Sequence, residues 1–126
     1  MIEVRFTDID SQGHASHLAI ASWVSHKRVQ LFDDALLLSG VKGLDHVMVR
    51  IEIDFKKEIK YPNLVLIFSE VAKVGGKSVT TKYEVSVKGV IAATARCINV
   101  FFNKDGPCRI PENLRSALLD MDHIAR

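Results

Sequence analysis

Residues 8–14 carry the side chains of this chain whose types and spacing best fit catalysis. Asp10 lies three residues before Gly13, His14 follows that glycine, and His17 stands at the start of a long helical pattern. A carboxylate, a flexible turn and an imidazole beside free helix-start N–H groups are parts from which ester or thioester hydrolysis can be built. Asp10 could attack a carbonyl carbon or activate water, while the helix-start amides polarise the carbonyl oxygen.

The same residues also have purely structural interpretations. An aspartate before a glycine commonly hydrogen-bonds its own turn, and an early helix histidine often packs at the edge of a sheet. The spacing of Asp8, Asp10, His14 and His17 fits no standard ligand motif, so neither a metal nor a cofactor is expected. The chain also lacks a serine nucleophile elbow, a phosphate loop and a dinucleotide-binding glycine pattern. The local pattern therefore fits a catalytic turn or an ordinary one.

Composition predicts one soluble globular domain over residues 1–126. Apolar residues make up 48% and charged residues 25%, as in ordinary globular proteins. The formal net charge is only +2 and the basic residues are scattered along the chain, so no nucleic-acid partner is expected. Cys97 and Cys108 lack the close partners of a zinc site and are interpreted as free thiols. No stretch approaches the roughly 18 apolar residues of a membrane span, and no secretory leader is visible. The expected location is cytoplasmic.

One long helix is predicted over residues 18–39, with Ser16 as its N-cap and Gly40 as its C-terminal stop. Its apolar positions share one face, which is expected to be buried: Ile20, Ala21, Val24, Leu31, Phe32, Ala35 and Leu38. The opposite face collects polar residues: His26, Lys27, Gln30, Asp33 and Asp34. A short second helix beginning at Pro111 is expected to carry Leu114, Leu118 and Leu119.

The rest of the pattern is typical of strands. Alternation of Ile2, Val4 and Phe6 with polar residues predicts a half-buried first strand. Short runs rich in Val, Ile, Phe and Thr, separated by turn residues, predict four more in a meander of antiparallel connections. Their expected bounds are about residues 47–57, 64–74, 78–88 and 90–102.

These elements predict an α+β fold in which a five-stranded antiparallel sheet curls around one long central helix. One helix covers only part of such a sheet. The last long strand, with Val90, Ala92 and Thr94, offers faces and an edge for association. A homodimer with paired sheets, or a dimer of such dimers, is therefore expected.

Residues 4–14, followed by the long helix, resemble the opening of the hotdog-fold acyl-CoA thioesterases of the 4-hydroxybenzoyl-CoA thioesterase group. The likeness continues through residues 49–55, 61–64, 75–79 and 103–106, and so covers nearly the whole chain. The order and spacing of these motifs are more specific than any one of them. The resemblance implies a hotdog fold and hydrolysis of an acyl-CoA, or of an acyl carrier thioester, to a free acid and a thiol.

The resemblance also implies which residues act. The catalytic carboxylate of the family matches Asp10, and a histidine that some members use seven residues later matches His17. The tyrosine that some members place four residues before the Asp is Phe6 here, so its hydroxyl is absent. Hydratase relatives carry a histidine five residues after the Asp, where this chain has Ala15, which ranks a hydratase or dehydratase below a thioesterase.

The family holds the acyl group in a tunnel between two subunits and lays the nucleotide end of CoA along the surface. Lys77 and Ser78 match a segment that contacts CoA phosphates, and Arg109 is a weaker candidate for the same task. A solvated turn residue is the alternative interpretation of Lys77. A catalytically silent acyl-CoA-binding protein is the alternative from another class. The other expected substrate contacts belong to the turn and the helix start: Gly13, His14, Leu18 and Ala19.

Overall fold

The central helix lies within a curled antiparallel sheet, and both are described by a computed structural model covering residues 1–124. Positions 125–126 of the expected domain lie outside the described residues. In chain order the elements are β1 (Ile2–Glu3), α1 (His17–Ser39), β2 (Asp45–Phe55), β3 (Leu64–Val74), β4 (Ser78–Val87), β5 (Val90–Asn103), β6 (Gly106–Pro107), α2 (Glu112–Leu119) and β7 (Asp122–Ile124). The arrangement is the α+β hotdog fold that the resemblance implies.

Local capping fixes both ends of α1, as the sequence predicts. The Ser16 hydroxyl accepts a hydrogen bond from the Ala19 amide at 3.1 Å, which satisfies one free donor of the first turn. Gly40 takes the left-handed conformation with φ of +71°, and its amide donates to the Leu36 carbonyl. The helix therefore begins one residue before the expected position and ends where expected.

Two residues of α1 lie on the face opposite to the predicted one. Lys27 is only 4% exposed, because it lies one turn from both Trp23 and Leu31 on the buried side, and its ammonium donates to Gln30 Oε1 at 3.1 Å. Burial lowers the pKa of Lys27, although Asp34 opposes this effect. Leu38 is 73% exposed in the last turn, so the prediction that it is buried was wrong.

The sheet is not a simple meander. Its main path runs β1-β3-β4-β5-β2, so β2 pairs with β5 and not with β3, and the short strands β6 and β7 add to β5 and β3. The connection between β2 and β3 crosses one end of the sheet, and its Ile59 carbonyl accepts a hydrogen bond from the Ala15 amide. This crossing brings residues 56–60 beside the start of α1.

The free edge of the sheet is also not where the sequence placed it. Because β5 lies between β4 and β2, its residue Ala92 is buried and the strand has no unpaired edge. The long strand with only one partner among residues 1–124 is β2, where Val49 is 60% exposed. The edge expected at Val90, Ala92 and Thr94 is therefore corrected to β2.

The first strand is shorter than predicted. Only Ile2–Glu3 pair with β3, and the chain then makes a tight helical turn at Phe6–Asp8. The Arg5 amide donates to Asp8 Oδ2 at 2.8 Å, which turns the backbone away from the sheet. Phe6 is consequently 71% exposed and does not continue the buried alternation.

The core divides into two clusters along α1. Near the helix start, Ile20 and Val24 pack against β3, β4 and β5, and near the helix end Leu31, Phe32 and Ala35 pack with α2. Both cysteines are free thiols, as predicted. Burial raises the pKa of the Cys97 thiol to about 11, with Arg28 opposing, so this thiol stays protonated at neutral pH. Neither helix within residues 1–124 is long and apolar enough to cross a membrane.

Candidate active site at the start of the central helix

The turn that precedes α1 is closed by its own backbone. The Asp10 amide donates to the His14 carbonyl at 2.8 Å, and the Gly13 amide donates to the Asp10 carbonyl at 3.0 Å. Gly13 has φ of +82°, a conformation that side-chain-bearing residues rarely adopt. The glycine therefore sets the shape of the turn that holds Asp10.

The Asp10 carboxylate has one engaged oxygen and one unengaged oxygen. Its Oδ1 atom accepts hydrogen bonds from the amides of Gln12 at 2.9 Å and His14 at 3.4 Å. Among the described residues, nothing hydrogen-bonds its Oδ2 atom, and the side chain is exposed. The structural interpretation of Asp10 is thus correct for Oδ1, and it leaves Oδ2 available for chemistry.

Asp8, the other acid of this segment, has a different environment. Its side chain is 5% exposed and makes hydrogen bonds with the Arg5 guanidinium at 3.1 and 3.3 Å. Burial pushes the pKa of Asp8 upward, but the hydrogen bonds and charge of Arg5 outweigh it and leave that pKa below its ordinary value. Asp8 is therefore a fixed ionised support for the turn, and its carbonyl also accepts the Ser16 amide at 2.8 Å.

Asp10 and His17 line the same open cleft, which has a volume of about 680 Å³. His14 lines it too, and its Nε2 atom lies 3.1 Å from Glu58 Oε2. The structure thus brings three of the predicted residues together around a single cleft. The connection between β2 and β3 also lines this cleft, and it runs beside His14, which pairs with Lys60 in an isolated antiparallel bridge.

That connection contains functional candidates that the sequence patterns did not reveal. Lys56, Lys57 and Lys60 line the cleft together with Glu58. A signal was available, since three lysines fall within five residues. Their position relative to Asp10 could not be predicted, because it depends on β2 pairing with β5 at the far side of the sheet.

The free amides at the start of α1 are not all the predicted ones. The Ala19 amide donates to the Ser16 hydroxyl, so it is already engaged. Within residues 1–124, no hydrogen bond engages the amides of His17 and Leu18. Free donors with the partial positive charge of a helix start therefore remain at positions 17 and 18.

The predicted CoA contacts lie elsewhere in the subunit. Lys77 lies in the turn between β3 and β4, and Ser78 begins β4. Arg109 is near this turn because the Ile110 amide donates to the Gly76 carbonyl at 2.9 Å. The next residue, Val79, packs in the cluster at the C-terminal half of α1. The structure brings these three residues together but not to the Asp10 cleft, which lies at the other end of the helix.

The described side chains include no group of three or more His, Cys, Asp or Glu placed to hold a metal ion. The polar groups of the cleft are instead one free carboxylate oxygen, imidazoles, free amides and ammonium groups. Such a set can bind an uncharged carbonyl oxygen, attack its carbon or deprotonate water, and hold an anion nearby.

The sequence model of the thioesterase-like superfamily matches residues 4–118 of the chain. The match covers the turn, all of α1, strands β2 to β6 and all of α2 but its last residue. The comparison with curated proteins gave no match.

Solved structures similar to this chain include several thioesterases. A predicted thioesterase from Bacillus stearothermophilus shares 27% identity with a TM-score of 0.79, over 93% of this chain and 90% of that one. A thioesterase from Thermus thermophilus, complexed with coenzyme A and Zn, shares 24% identity with a TM-score of 0.82, over 93% and 87%. DHNA-CoA thioesterase from Staphylococcus aureus shares 24% identity with a TM-score of 0.74, over 86% and 76%. The last two likenesses establish the shared fold.

Proposed function

Since the chain belongs to the thioesterase-like superfamily and is a thioester hydrolase on that ground, we propose that it hydrolyses an acyl-CoA at the Asp10 cleft. The observation that carries this proposal is the free Oδ2 atom of Asp10 in the cleft that His17 also lines. Two backbone amides fix Oδ1 and thereby orient the carboxylate, while Oδ2 keeps its capacity to react with a substrate. The similar thioesterase structure from Thermus thermophilus is a complex with coenzyme A, which supports CoA as the thiol carrier.

The chemistry needs one activated oxygen and one polarised carbonyl. The amide of Leu18, with that of His17, would donate to the thioester oxygen and stabilise the negative charge that develops there. Asp10 Oδ2 would either attack the carbonyl carbon or take a proton from an attacking water. In the first route a mixed anhydride forms as the thiolate leaves, and water then releases the acid and frees the carboxylate. Both routes end in a free acid and a thiol.

The two histidines of the cleft have different roles in this proposal. His17 is exposed at the first position of α1, where its imidazole would orient the reacting groups or the attacking water. His14 contributes through its backbone, since its amide holds Asp10 Oδ1 and its ring is paired with Glu58. Gly13 and His14 therefore position the carboxylate, and Asp10 and His17 are the catalytic pair.

CoA would extend well beyond the cleft. From His17 to Ala35 the helix rises roughly 27 Å, at 1.5 Å per residue, so Lys77, Ser78 and Arg109 are a long way from Asp10 of the same subunit. A CoA bound at Asp10 would reach Lys77 by lying along the surface, or would meet the Lys77 of a second copy. The positive charges of Lys77 and Arg109 suit its phosphates.

A homodimer is part of the proposal. Among residues 1–124, nothing pairs with the outer edge of the 11-residue strand β2, and Val47, Val49 and Phe55 are exposed on this strand. An exposed apolar edge of this length favours pairing with a second strand. Two β2 strands from two copies would extend the sheets into one another, and two such dimers could associate further. Light scattering after size-exclusion chromatography measures this mass directly.

Release of free thiol from a panel of acyl-CoAs tests the proposed function. The panel should vary chain length, branching and aromaticity, because the acyl preference is not determined by Asp10. We expect thiol release from at least one member at a rate that rises in proportion to enzyme concentration. Tight binding of acyl-CoA without any release across the panel would instead identify a silent acyl-CoA-binding protein.

A further inference from the structure

Residues 56–60, which carry Lys56, Lys57 and Lys60 and form the basic wall of the Asp10 cleft, are held in place by the fold. The amides of Lys56 and Lys57 both donate to the Ala92 carbonyl, at 2.8 and 3.0 Å, which fixes one end of the run to β5. At the other end Ile59 is 1% exposed, and Lys60 pairs with His14 in an isolated bridge. The three lysines therefore extend from a fixed backbone toward the cleft they line.

The cleft carries a net positive charge, since three lysines and only two acids, Asp10 and Glu58, line it. Within the described part of the chain, no ion pair or side-chain hydrogen bond engages the ammonium groups of Lys56, Lys57 and Lys60. Glu58 lies among them, but its carboxylate is paired with the His14 ring. The carboxylate of Asp10 is the catalytic group of the proposed reaction. An incoming anion would consequently find three ammonium groups lining the same cleft as Asp10.

The thiol side of a CoA thioester offers no such anion near the reacting carbonyl. The pantetheine arm is uncharged, and it separates the sulfur from the first phosphate by about 15 Å when extended, at standard bond lengths. The lysines line the same cleft as Asp10. The volume of this cleft, about 680 Å³, is that of one small-molecule pocket. An anion bound by these lysines while the carbonyl lies at Asp10 therefore belongs to the acyl group.

We propose that Lys56, Lys57 and Lys60 bind an acidic group on the acyl portion of the substrate, so that the preferred thioesters are those of dicarboxylic or similarly anionic acids. This inference rests on the proposed thioesterase function and adds a specificity to it. The three lysines determine which acyl group is preferred, and they do not take part in cleavage of the thioester. They lower the Michaelis constant for anionic acyl groups through charge attraction, which salt weakens.

A matched set of four substrates tests the proposal. Adipyl and heptanoyl thioesters have similar length but differ in the terminal carboxylate, and each is prepared with CoA and with N-acetylcysteamine, which has no phosphate. We expect wild-type kcat/KM to favour adipyl over heptanoyl by about tenfold with either thiol, the size that a few exposed ion pairs give. The triple variant Lys56→Gln, Lys57→Gln, Lys60→Gln should reduce this ratio to about one.

The control variant removes the same charge elsewhere. Lys42, Lys73 and Lys88 are exposed and do not line the cleft, so Lys42→Gln, Lys73→Gln, Lys88→Gln should retain the adipyl preference. Thermal unfolding of both triple variants checks that each is folded. A wild-type ratio near one would overturn the proposal. The proposal would also be overturned if the cleft variant lost kcat/KM for both CoA thioesters and for neither N-acetylcysteamine thioester. The lysines would then contact CoA phosphates.

Failure of the proposed function gives a different result. If the wild type hydrolyses none of the four thioesters, calorimetric affinities for adipyl-CoA and heptanoyl-CoA replace the rates. If the wild type binds adipyl-CoA about tenfold more tightly than heptanoyl-CoA and the cleft variant does not, the lysines recognise the acyl carboxylate in a protein that binds acyl-CoA without hydrolysing it. Equal affinities would reject the lysine site as well.

Discussion

The two ends of α1 differ in how much of their hydrogen-bonding capacity the fold uses. At the C-terminal end, the Leu36 carbonyl accepts the Gly40 amide, and the Ser39 carbonyl accepts the Asn113 side chain at 2.9 Å. At the N-terminal end, the amides of His17 and Leu18 have no partner within residues 1–124. One end of the same helix is closed by its own chain, and the other is left open toward a cleft.

Burial differs in the same direction. Leu31, Phe32 and Leu114 are fully buried at the C-terminal end, whereas Asp10 and His17 are exposed at the other. Packed apolar contacts stabilise a fold, and unsatisfied polar groups cost stability unless a ligand completes them. Both ends of α1 contribute to the core, and the N-terminal end in addition leaves polar groups free for a substrate. Apart from Gly13→Ala, each substitution below should affect mainly stability or mainly activity.

Asp10→Asn should produce the largest effect, and on activity alone. The amide oxygen can still accept the Gln12 and His14 amides, but it cannot attack a carbonyl or take a proton, so kcat should fall on the order of a thousandfold. Thiol-release kinetics and a thermal melt measure both properties. Asp105→Asn, another exposed turn aspartate, is the matched control and should retain full turnover. Near-normal turnover of Asp10→Asn would remove Asp10 from the catalytic role.

Leu114→Ala should produce the largest effect on stability. Leu114 is fully buried in the C-terminal cluster, and a buried Leu→Ala change costs about 2–5 kcal/mol. Urea unfolding measures the loss, while kcat per folded molecule should stay within about twofold. Leu119→Ala on the same helix is the control, since Leu119 is 60% exposed and should change stability by less than about 0.5 kcal/mol. Equal losses of unfolding free energy in the two variants would contradict the assignment of Leu114 to the buried core.

Gly13→Ala should have a smaller effect that touches both properties. A Cβ at Gly13 meets nothing within 4 Å, so the cost is the φ of +82° itself, about 1 kcal/mol. Relaxation of that strain would move Asp10, and turnover should fall by about tenfold. Gly76→Ala is the control, because Gly76 is equally open and has no positive φ. Unchanged stability and turnover in Gly13→Ala would show that the turn does not depend on the glycine.

Lys77→Ala should have the smallest effect. Lys77 is exposed, and one phosphate contact contributes modestly, so the Michaelis constant for acyl-CoA should rise by about threefold to tenfold at unchanged kcat. N-acetylcysteamine thioesters, which lack phosphates, should show no such rise. Lys104→Ala, at a different exposed turn, is the control. A Michaelis constant that stays the same for CoA thioesters would leave Lys77 as a solvated turn residue.

Sequence patterns predicted the parts of this fold that depend on neighbouring residues. Ser16 and Gly40 delimit α1 because capping uses atoms within one turn of the helix. The strand bounds of β3 were predicted to the residue, since Gly75 and Gly76 punctuate its end. The fold class followed from the order of these elements.

Long-range pairing was not predictable in the same way. The turn residues around Tyr61 favoured pairing of β2 with β3, but the partner of β2 is β5, and no local signal specifies that choice. The same pairing is the reason that the lysines of the Asp10 cleft were not predicted. Among the predicted donors, the Ala19 amide proved to be engaged because the Ser16 cap that was also predicted uses it. These two local predictions required the same N–H group, and the cap uses it.

The central claim is that the Asp10 carboxylate and the free amides at the start of α1 act on one carbonyl group. A crystal structure of the protein with an acyl-CoA analogue in which a methylene group separates the carbonyl from the sulfur tests it most directly, since that ketone cannot be hydrolysed. The account predicts the ketone oxygen within hydrogen-bonding distance of the Leu18 or His17 amide and its carbon facing Asp10 Oδ2. An analogue bound with its carbonyl away from the start of α1, while Asp10 still contacts only its own turn, would contradict the claim.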